Sequence, residues 1–256
     1  MKKIICVLMC VSLLFLISCS SEDIQLKDIK NRGVLRVGIK TDVPFFGYLN
    51  TETNEITGME IDLAKALAKS ILGDEDALEL VAVTAKTRGP FLENGGVDVV
   101  IATFTITDER KEIYNFSDSY YTEEIGFLVK LNSPAAKISD LDGMTIGHAQ
   151  ASTAIGILEK MGEDSGMPYI QKEYASYPEI HAVLLNGGID AFCADKSILR
   201  GYIDGQTKLL AEGFNPQDYG IATKLENKQL ARYVDDFIRN QKKSGELYKT
   251  IADWGL

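Results

Sequence analysis

The sequence is poor in the residues that build metal sites, disulfide frameworks and disordered chains. Its 256 residues include two histidines, four cysteines and six prolines. His148 and His181 belong to no HExxH or CxxC…H pattern, so we expect no zinc site and no other cofactor. With 45% hydrophobic and 25% charged residues, the composition is that of a globular protein. It argues against a disordered, collagen-like or polytopic membrane chain.

The chain also lacks an excess of basic residues. Its 27 lysines and arginines stand against 37 aspartates and glutamates, a formal net charge of −10. Binding to nucleic acid depends on clustered basic side chains that neutralise phosphates. We therefore expect no nucleic-acid partner.

The N-terminus has the pattern of an exported lipoprotein. Two lysines precede an almost unbroken apolar run over residues 4–17, which is too short to span a bilayer comfortably and is typical of a signal peptide. The run ends in Leu-Ile-Ser-Cys19, which resembles the bacterial lipobox. The resemblance implies a signal peptide of residues 1–18 and an extracytoplasmic chain anchored to the cell membrane by lipidated Cys19. The alternative is a plain secretory signal cut nearby, with Cys19 incidental.

Cleavage before Cys19 would leave Cys193 as the one other cysteine, so the mature chain could form no intramolecular disulfide. Cys193 lies in an apolar run and is predicted to be a buried, unreactive thiol. Residues 19–30 are predicted to be a tether.

The remaining chain alternates strand and helix patterns. Residues 34–39, 78–83 and 97–102 read as strands, and residues 59–72 read as an amphipathic helix with acidic residues in its first turn. This alternation predicts an α/β fold with mixed, mostly parallel sheets covered by helices on both faces. Residues 91–103 also match residues 183–195 without a gap, each with an Asn-Gly-Gly turn before an apolar strand. The repeat predicts two similar lobes.

Three stretches are similar to the extracytoplasmic amino-acid-binding proteins of ABC importers, the bacterial solute-binding protein family 3. They are residues 35–48 with 58–64, residues 98–121, and residues 141–147 with 150–153. The resemblance implies a type II clamshell, with a discontinuous lobe I (31–128 and 222–256) and lobe II (129–221). The crossings would fall near residues 127–130 and 220–223. The implied partners are a free amino acid and an ABC transporter permease, and the chain would be a monomer.

The resemblance also implies ligand-binding residues. Arg110, in a Thr-x-x-Arg motif behind a Thr107 helix cap, would bind the α-carboxylate, and Asp195 would bind the α-ammonium. Four hydroxyl residues would surround the ligand: Thr103, Thr105, Ser152 and Thr153. Each position has a structural alternative: Arg110 could be a surface arginine, and the others could cap strands or helices.

Lys40 and Arg88 would set specificity, since these stretches resemble members that bind aspartate and glutamate. Two further buried cations would need an anionic ligand side chain. In the alternative, Lys40 reaches water and Arg88 pairs with an acid such as Glu60, which would fit glutamine or another polar amino acid. Three aromatic residues would wall the pocket or belong to the core: Phe45, Phe46 and Phe104.

A dehydratase-like enzyme on the same fold, a sensor domain and a surface adhesin are the rival classes. Neither histidine lies in a nucleophile–base pattern, and no catalytic carboxylate pair can be assigned. We therefore expect no enzyme activity.

The anchoring prediction is testable. Cys19→Ala should release the protein from the membrane fraction and leave ligand binding intact, because acyl chains contribute about 0.8 kcal/mol per buried CH₂. Fractionation and a binding assay on the same preparation measure both effects. A processed variant that stays with the membrane would contradict the lipobox interpretation.

Overall fold

The computed structural model of the protein describes residues 24–256; the predicted signal peptide, Cys19 and the start of the predicted tether lie outside this range. The helices are α1 Ile24–Arg32, α2 Met59–Leu72, α3 Arg88–Glu93, α4 Asp108–Lys111, α5 Ala154–Ser165, α6 Tyr177–Leu185, α7 Lys196–Arg200, α8 Lys228–Ser244 and α9 Glu246–Asp253. A short 3₁₀ helix spans Ile138–Leu141. Within the described range, no helix has the length and apolar character needed to cross a membrane.

The strands are β1 Leu35–Ile39, β2 Asp42–Val43, β3 Gly47–Asn50, β4 Glu55–Thr57, β5 Leu78–Ala82, β6 Val99–Ile101, β7 Tyr114–Phe116, β8 Tyr121–Lys130, β9 Thr145–Ala149, β10 Ile170–Tyr174, β11 Ala191–Asp195, β12 Thr207–Leu209, β13 Phe214–Tyr219 and β14 Ala222–Lys224. They form two large mixed sheets and one small antiparallel sheet, β2-β3-β4.

Each large sheet is the centre of one lobe. The first has the order β5-β1-β6-β14-β7, with β1 parallel to β5 and β6 and with β14 antiparallel to its neighbours. The second has the order β10-β9-β11-β8-β12, with β13 also paired to β8, and its first three strands are parallel. The first four positions of the two sheets match in direction. The prediction of two similar α/β lobes is confirmed.

The internal repeat makes the same contacts in both lobes. Gly95 and Gly187 follow α3 and α6 in the left-handed region, each with φ 76°, where a side chain is disfavoured. Asp98 and Asp190 then each accept a backbone N–H from the neighbouring parallel strand of their own lobe, β1 and β9, at 2.8 and 2.9 Å. The repeated sequence therefore adopts the same structure in both lobes. It fixes how β6 and β11 join their sheets.

Helix α2 has the bounds that its apolar spacing predicts. Its buried face includes Ile61, Leu67 and Ile71, and Gly73 closes the helix in the left-handed conformation. Burying side chains of this size stabilises the fold by about 1.5–3 kcal/mol each. Gly58 precedes the helix at φ 145°, where a Cβ would lie 2.0 Å from the Phe46 carbonyl oxygen. This close approach requires glycine and fixes where α2 begins.

Two boundary predictions differ from the structure. The predicted tether extends to residue 30, but α1 begins at Ile24, and the Ile29 side chain is fully buried in the first lobe. Polar residues conceal this helix in the sequence, because only its inward face is apolar. The predicted crossing at residues 127–130 lies inside the second sheet, where Phe127 pairs with Cys193 and Val129 with Ala191.

The crossing between lobes falls earlier in the chain. The first residues of β8 pair with the last residues of β13, from Tyr121↔Tyr219 to Glu123↔Gln217. Beside them the Tyr120 N–H donates to the Tyr219 carbonyl at 2.8 Å. The two connections between the lobes thus run antiparallel side by side, and the second lies close to its predicted position.

The lobes also touch across the cleft between them. Asp42 of the first lobe accepts the backbone N–H of Tyr177, in the first turn of α6, at 3.3 Å. The Tyr202 hydroxyl donates to the Asp42 carbonyl oxygen. Gly201 lies against Pro44, so that a Cβ on Gly201 would meet the proline ring at 2.7 Å. These contacts describe a molecule whose lobes are closed on each other.

Gly201→Ala should therefore hinder closure. Its φ of −68° suits alanine, so the variant should fold, but the added methyl group overlaps Pro44. We expect amino-acid affinity to fall by about tenfold, since overpacking typically costs 1–3 kcal/mol. Calorimetry measures the loss, and adding Pro44→Gly should restore affinity to that of Pro44→Gly alone. Wild-type affinity in Gly201→Ala would contradict the contact.

Candidate ligand-binding site

A cavity lies between the lobes, at the carboxyl ends of the parallel strands, the usual place for a ligand in α/β folds. The cavity is narrow, with a volume of ≈ 20 Å³. Its walls come from both lobes and are formed by Arg88, Thr103, Thr105, Ile125, Ala149, Ser152, Thr153, Ala154, Tyr177, Cys193, Ala194 and Asp195. Six of the predicted ligand-binding residues are therefore brought together around one space.

Arg110 spans the cleft beside this cavity. Thr107 caps α4 as predicted, accepting the Arg110 backbone N–H at 3.2 Å. The guanidinium donates to the Thr105 carbonyl of the first lobe at 2.8 Å and to the Ala151 carbonyl of the second at 3.1 Å. Burial, followed by the nearby charge of Arg88, lowers the pKa of Arg110 to about 9. Arg110 forms no ion pair within residues 24–256, so it can accept an external carboxylate.

Arg88 is 3% exposed and lines the cavity. It donates to the carbonyl oxygens of Ala102 at 2.7 Å and Thr103 at 2.9 Å, and its Nε has no hydrogen-bond partner in the described chain. Burial lowers its pKa. The alternative ion pair with Glu60 does not form, because no described carboxylate lies within 4.0 Å of Arg88.

The ring of Phe104 contacts the guanidinium groups of both Arg88 and Arg110. The Arg88 guanidinium carbon lies 4.1 Å from the ring centroid and that of Arg110 lies 4.9 Å from it. Such cation–π contacts are worth about 0.5–2 kcal/mol and hold planar guanidinium groups in place. Phe104 supports the cations from below and does not line the cavity.

Thr103 and Thr105 form the first-lobe edge of the cavity. Thr103 has a left-handed backbone with φ 45°, which is rare for a β-branched residue, and its buried hydroxyl has no partner among the described residues. Thr105 bridges to Tyr219 of the crossing strand β13. Neither threonine simply ends a strand, and the unpaired hydroxyl is available to a ligand.

Asp195 faces Thr103 from the second lobe. It stands at the N-cap position of α7, but its side chain makes no capping hydrogen bond. It instead accepts the Tyr219 hydroxyl. Burial raises the pKa of Asp195 to about 6, while the Tyr219 hydrogen bond lowers it. The carboxylate is therefore ionised at neutral pH and can bind an ammonium group.

Ser152 and Thr153 lie before α5 on the second-lobe wall. The Ser152 hydroxyl is buried without a hydrogen-bond partner in residues 24–256, and Thr153 donates to the Gln217 side chain at 2.7 Å. The Thr153 side chain makes no capping bond to α5. The first N–H groups of this helix consequently remain available to an anion.

The structure corrects the prediction for Lys40. Its side chain is 2% exposed and does not reach water, and its ammonium pairs with Asp42 at 2.9 Å. It lies 4.9 Å from the centroid of the Tyr177 ring and does not line the cavity. Burial lowers the pKa of Lys40, and Asp42 raises it. Because this cation has an anionic partner within the protein, it does not by itself require an acidic ligand.

The other two phenylalanines do not line the cavity. Phe46 is fully buried in the core, with its ring 5.2 Å from Tyr121 and 5.9 Å from Tyr219. Phe45 is 39% exposed and adopts φ 71°. The structure thus favours the core alternative for Phe46. Its position beneath the crossing strands explains the burial.

Tyr177 has no role among the predictions made from the sequence, and Glu60 enters them only as a partner for Arg88. Tyr177 lines the cavity at the start of α6, and its phenol is not part of any motif. Glu60 is fully buried and accepts the Thr103 N–H at 2.6 Å. Cys193 is buried as predicted, and burial raises its pKa.

Comparison with known proteins identifies the family. The family described as "Bacterial extracellular solute-binding proteins, family 3" matches residues 35–256. The chain belongs to this family of amino-acid-binding proteins of ABC importers. Its two-lobe fold matches a solute receptor for L-cysteine from Neisseria gonorrhoeae, with a TM-score of 0.81, 26% identity, and coverage of 89% of this chain and 91% of that one.

Two relatives are more similar to this solute-binding protein in sequence. A glutamine-binding protein of Geobacillus stearothermophilus is 40% identical over 81% of this chain and 79% of its own length. The ABC transporter glutamine-binding protein GlnH of Bacillus subtilis is 35% identical over 93% of this chain and 86% of its own. These relatives are binding proteins, which agrees with the expectation that the chain is not an enzyme.

Arg110→Ala and Asp195→Ala should each weaken amino-acid binding by about 3–5 kcal/mol, because each leaves a desolvated charge of the ligand without its partner. This corresponds to roughly two to three and a half decades in Kd. The affinity of the wild type should also fall as the pH drops through 6 and Asp195 takes up a proton. Calorimetry between pH 5 and 8 measures both effects. Near wild-type affinity in a folded variant would refute the role of that residue.

Proposed function

We propose that this solute-binding protein captures an acidic amino acid, aspartate or glutamate, between its lobes and delivers it to an ABC import permease. The burial of Arg88 is the observation that supports an acidic ligand. The Arg88 guanidinium is nearly fully buried and lines the cavity with no carboxylate of residues 24–256 within 4.0 Å. A buried cation without an acid is costly unless a ligand supplies the opposite charge.

The charges of Arg110 and Asp195 match the α-carboxylate and the α-ammonium that all free amino acids share. Arg110 would take the α-carboxylate together with the α5 N-terminus, and Asp195 would take the α-ammonium. With these two used, Arg88 is the one further charged group that residues 24–256 place on the cavity wall. A side-chain carboxylate would engage the guanidinium through paired hydrogen bonds, which are stronger than those to a neutral acceptor.

Glutamine is the second candidate, and the named ligands of the two bacillary relatives favour it over an acid. Two structural observations also support it. Lys40 is already paired with Asp42, and two backbone carbonyls already accept hydrogen bonds from Arg88. A ligand amide oxygen could accept from the same guanidinium without adding charge.

The location and assembly of the protein belong to the same proposal. Family membership supports an extracytoplasmic chain, and the lipobox-like motif at Cys19 supports an anchor in the cell membrane. The chain would act as a monomer and without turnover of its ligand. Incubation with each candidate amino acid followed by chromatography should recover that amino acid unchanged.

The ligand class is tested by measuring Kd for aspartate, glutamate, asparagine and glutamine by calorimetry. Wild type should prefer each acid over its amide by at least about tenfold, or 1.4 kcal/mol, because an amide leaves Arg88 uncompensated. Arg88→Met, which keeps much of the apolar stem, should reduce glutamate binding more than glutamine binding.

Arg239→Met is the matched control. Arg239 lies on α8, with a side chain 65% exposed, and pairs with Asp235, so the same substitution there should leave all four affinities unchanged. Equal or tighter binding of glutamine by wild type would assign the protein to glutamine. An equal loss for glutamate and glutamine in Arg88→Met would make Arg88 structural.

A further inference from the structure

Glu60 is a buried carboxylate to which membership of the family assigns no role. It lies in the first turn of α2, where helix dipoles favour acidic residues, but it points inward and is fully buried. Its neighbour Asp62, by contrast, is exposed and accepts the Trp254 indole N–H at 2.7 Å. A carboxylate without solvent needs partners nearby.

One of its partners, Thr103, lines the cavity. One carboxylate oxygen of Glu60 accepts the Thr103 N–H at 2.6 Å and the Tyr120 hydroxyl at 2.5 Å. The other oxygen is buried and has no hydrogen-bond partner in residues 24–256. Thr103 is also the residue whose carbonyl accepts from Arg88. Glu60 and Arg88 therefore hold the same left-handed residue, one at its N–H and the other at its carbonyl.

Two cations act on Glu60 from different elements. Arg88 lies at the start of α3 and Lys40 follows β1, and Tyr120 approaches from the crossing segment. Burial raises the pKa of Glu60 to about 7, against the hydrogen bonds from Tyr120 and Thr103 and the charges of Arg88 and Lys40. The charge beneath the cavity consequently changes near neutral pH.

We infer that Glu60 is a specificity-determining residue: its charge beneath Thr103, which acts on Arg88 from more than 4.0 Å away, sets how strongly the site prefers an acidic side chain over its amide. The inference rests on the proposed function of the cavity. Ionised Glu60 offsets part of the Arg88 charge and disfavours an anionic ligand side chain. Protonated Glu60 leaves Arg88 uncompensated and favours that side chain.

This role of Glu60 predicts that the preference for glutamate over glutamine increases as the pH falls. Glutamate keeps its side-chain charge between pH 6 and 8, and Glu60 gains a proton as the pH falls over this range. The ratio of Kd for glutamine to Kd for glutamate should rise by about threefold or more from pH 8 to pH 6. Asp195 also titrates near this range, but both ligands have the same α-groups, so its effect cancels in the ratio.

The experiment measures this ratio at pH 6, 7 and 8 by calorimetry, with competition for the weaker ligand, in wild type and two variants. Glu60→Gln keeps the shape of the side chain and an acceptor for Thr103, and its ratio should be high and independent of pH. Tyr120→Phe removes one hydrogen bond to the carboxylate, so the change in ratio should move to higher pH. The Tyr120→Phe variant keeps the inference testable if Glu60→Gln does not fold.

A flat ratio in wild type, or the same pH dependence in Glu60→Gln as in wild type, would overturn the inference. The outcome is separable from that of the proposed function. A wild type that prefers glutamine at every pH contradicts the acidic ligand, yet a ratio that rises with acidity and becomes flat in Glu60→Gln still supports the role of Glu60.

Discussion

The cost of burying the Arg88 guanidinium shapes the whole first-lobe wall of the site. The side chain is removed from water with no carboxylate of residues 24–256 within 4.0 Å, so the backbone must supply acceptors. Thr103 provides one of them, in a left-handed conformation that its N–H bond to Glu60 helps to hold. Phe104 lies under the guanidinium and under that of Arg110. One buried charge thereby explains a strained threonine, a buried glutamate and a buried aromatic ring.

The duplicated architecture places Arg110 and Asp195, the residues proposed to bind the α-carboxylate and the α-ammonium, on opposite lobes. Thr103 and Asp195 end the two copies of the repeat, and the matching sheets bring these strand ends to face each other. Arg110 hydrogen-bonds to carbonyls of both lobes, and Tyr219 of the crossing strand holds Asp195. Closure of the lobes and completion of the charged site are therefore the same event. Asp42 of β2 adds a contact across the cleft, to the Tyr177 N–H at the start of α6, that involves no ligand.

Much of this arrangement was predictable from local patterns. The spacing of apolar residues predicted helix α2, and the gapless repeat predicted two similar lobes. The Thr107 cap was predictable because capping is a local interaction, whereas the role of Arg110 came from the family resemblance. What the patterns could not show were contacts between distant elements. The burial of Lys40 and Glu60 and the position of Phe46 depend on packing across elements, which a single sequence does not encode locally. The early start of α1 was missed because a mostly polar helix looks like a linker.

The central claim is that Arg88 receives a charged ligand side chain while Arg110 and Asp195 receive the α-groups. A crystal structure of the protein grown with excess glutamate tests it most directly. The account predicts the side-chain carboxylate within about 3 Å of Arg88, the α-carboxylate on Arg110 and the ammonium on Asp195. A glutamate bound in the reverse orientation, or one whose side-chain carboxylate points away from Arg88, would contradict it.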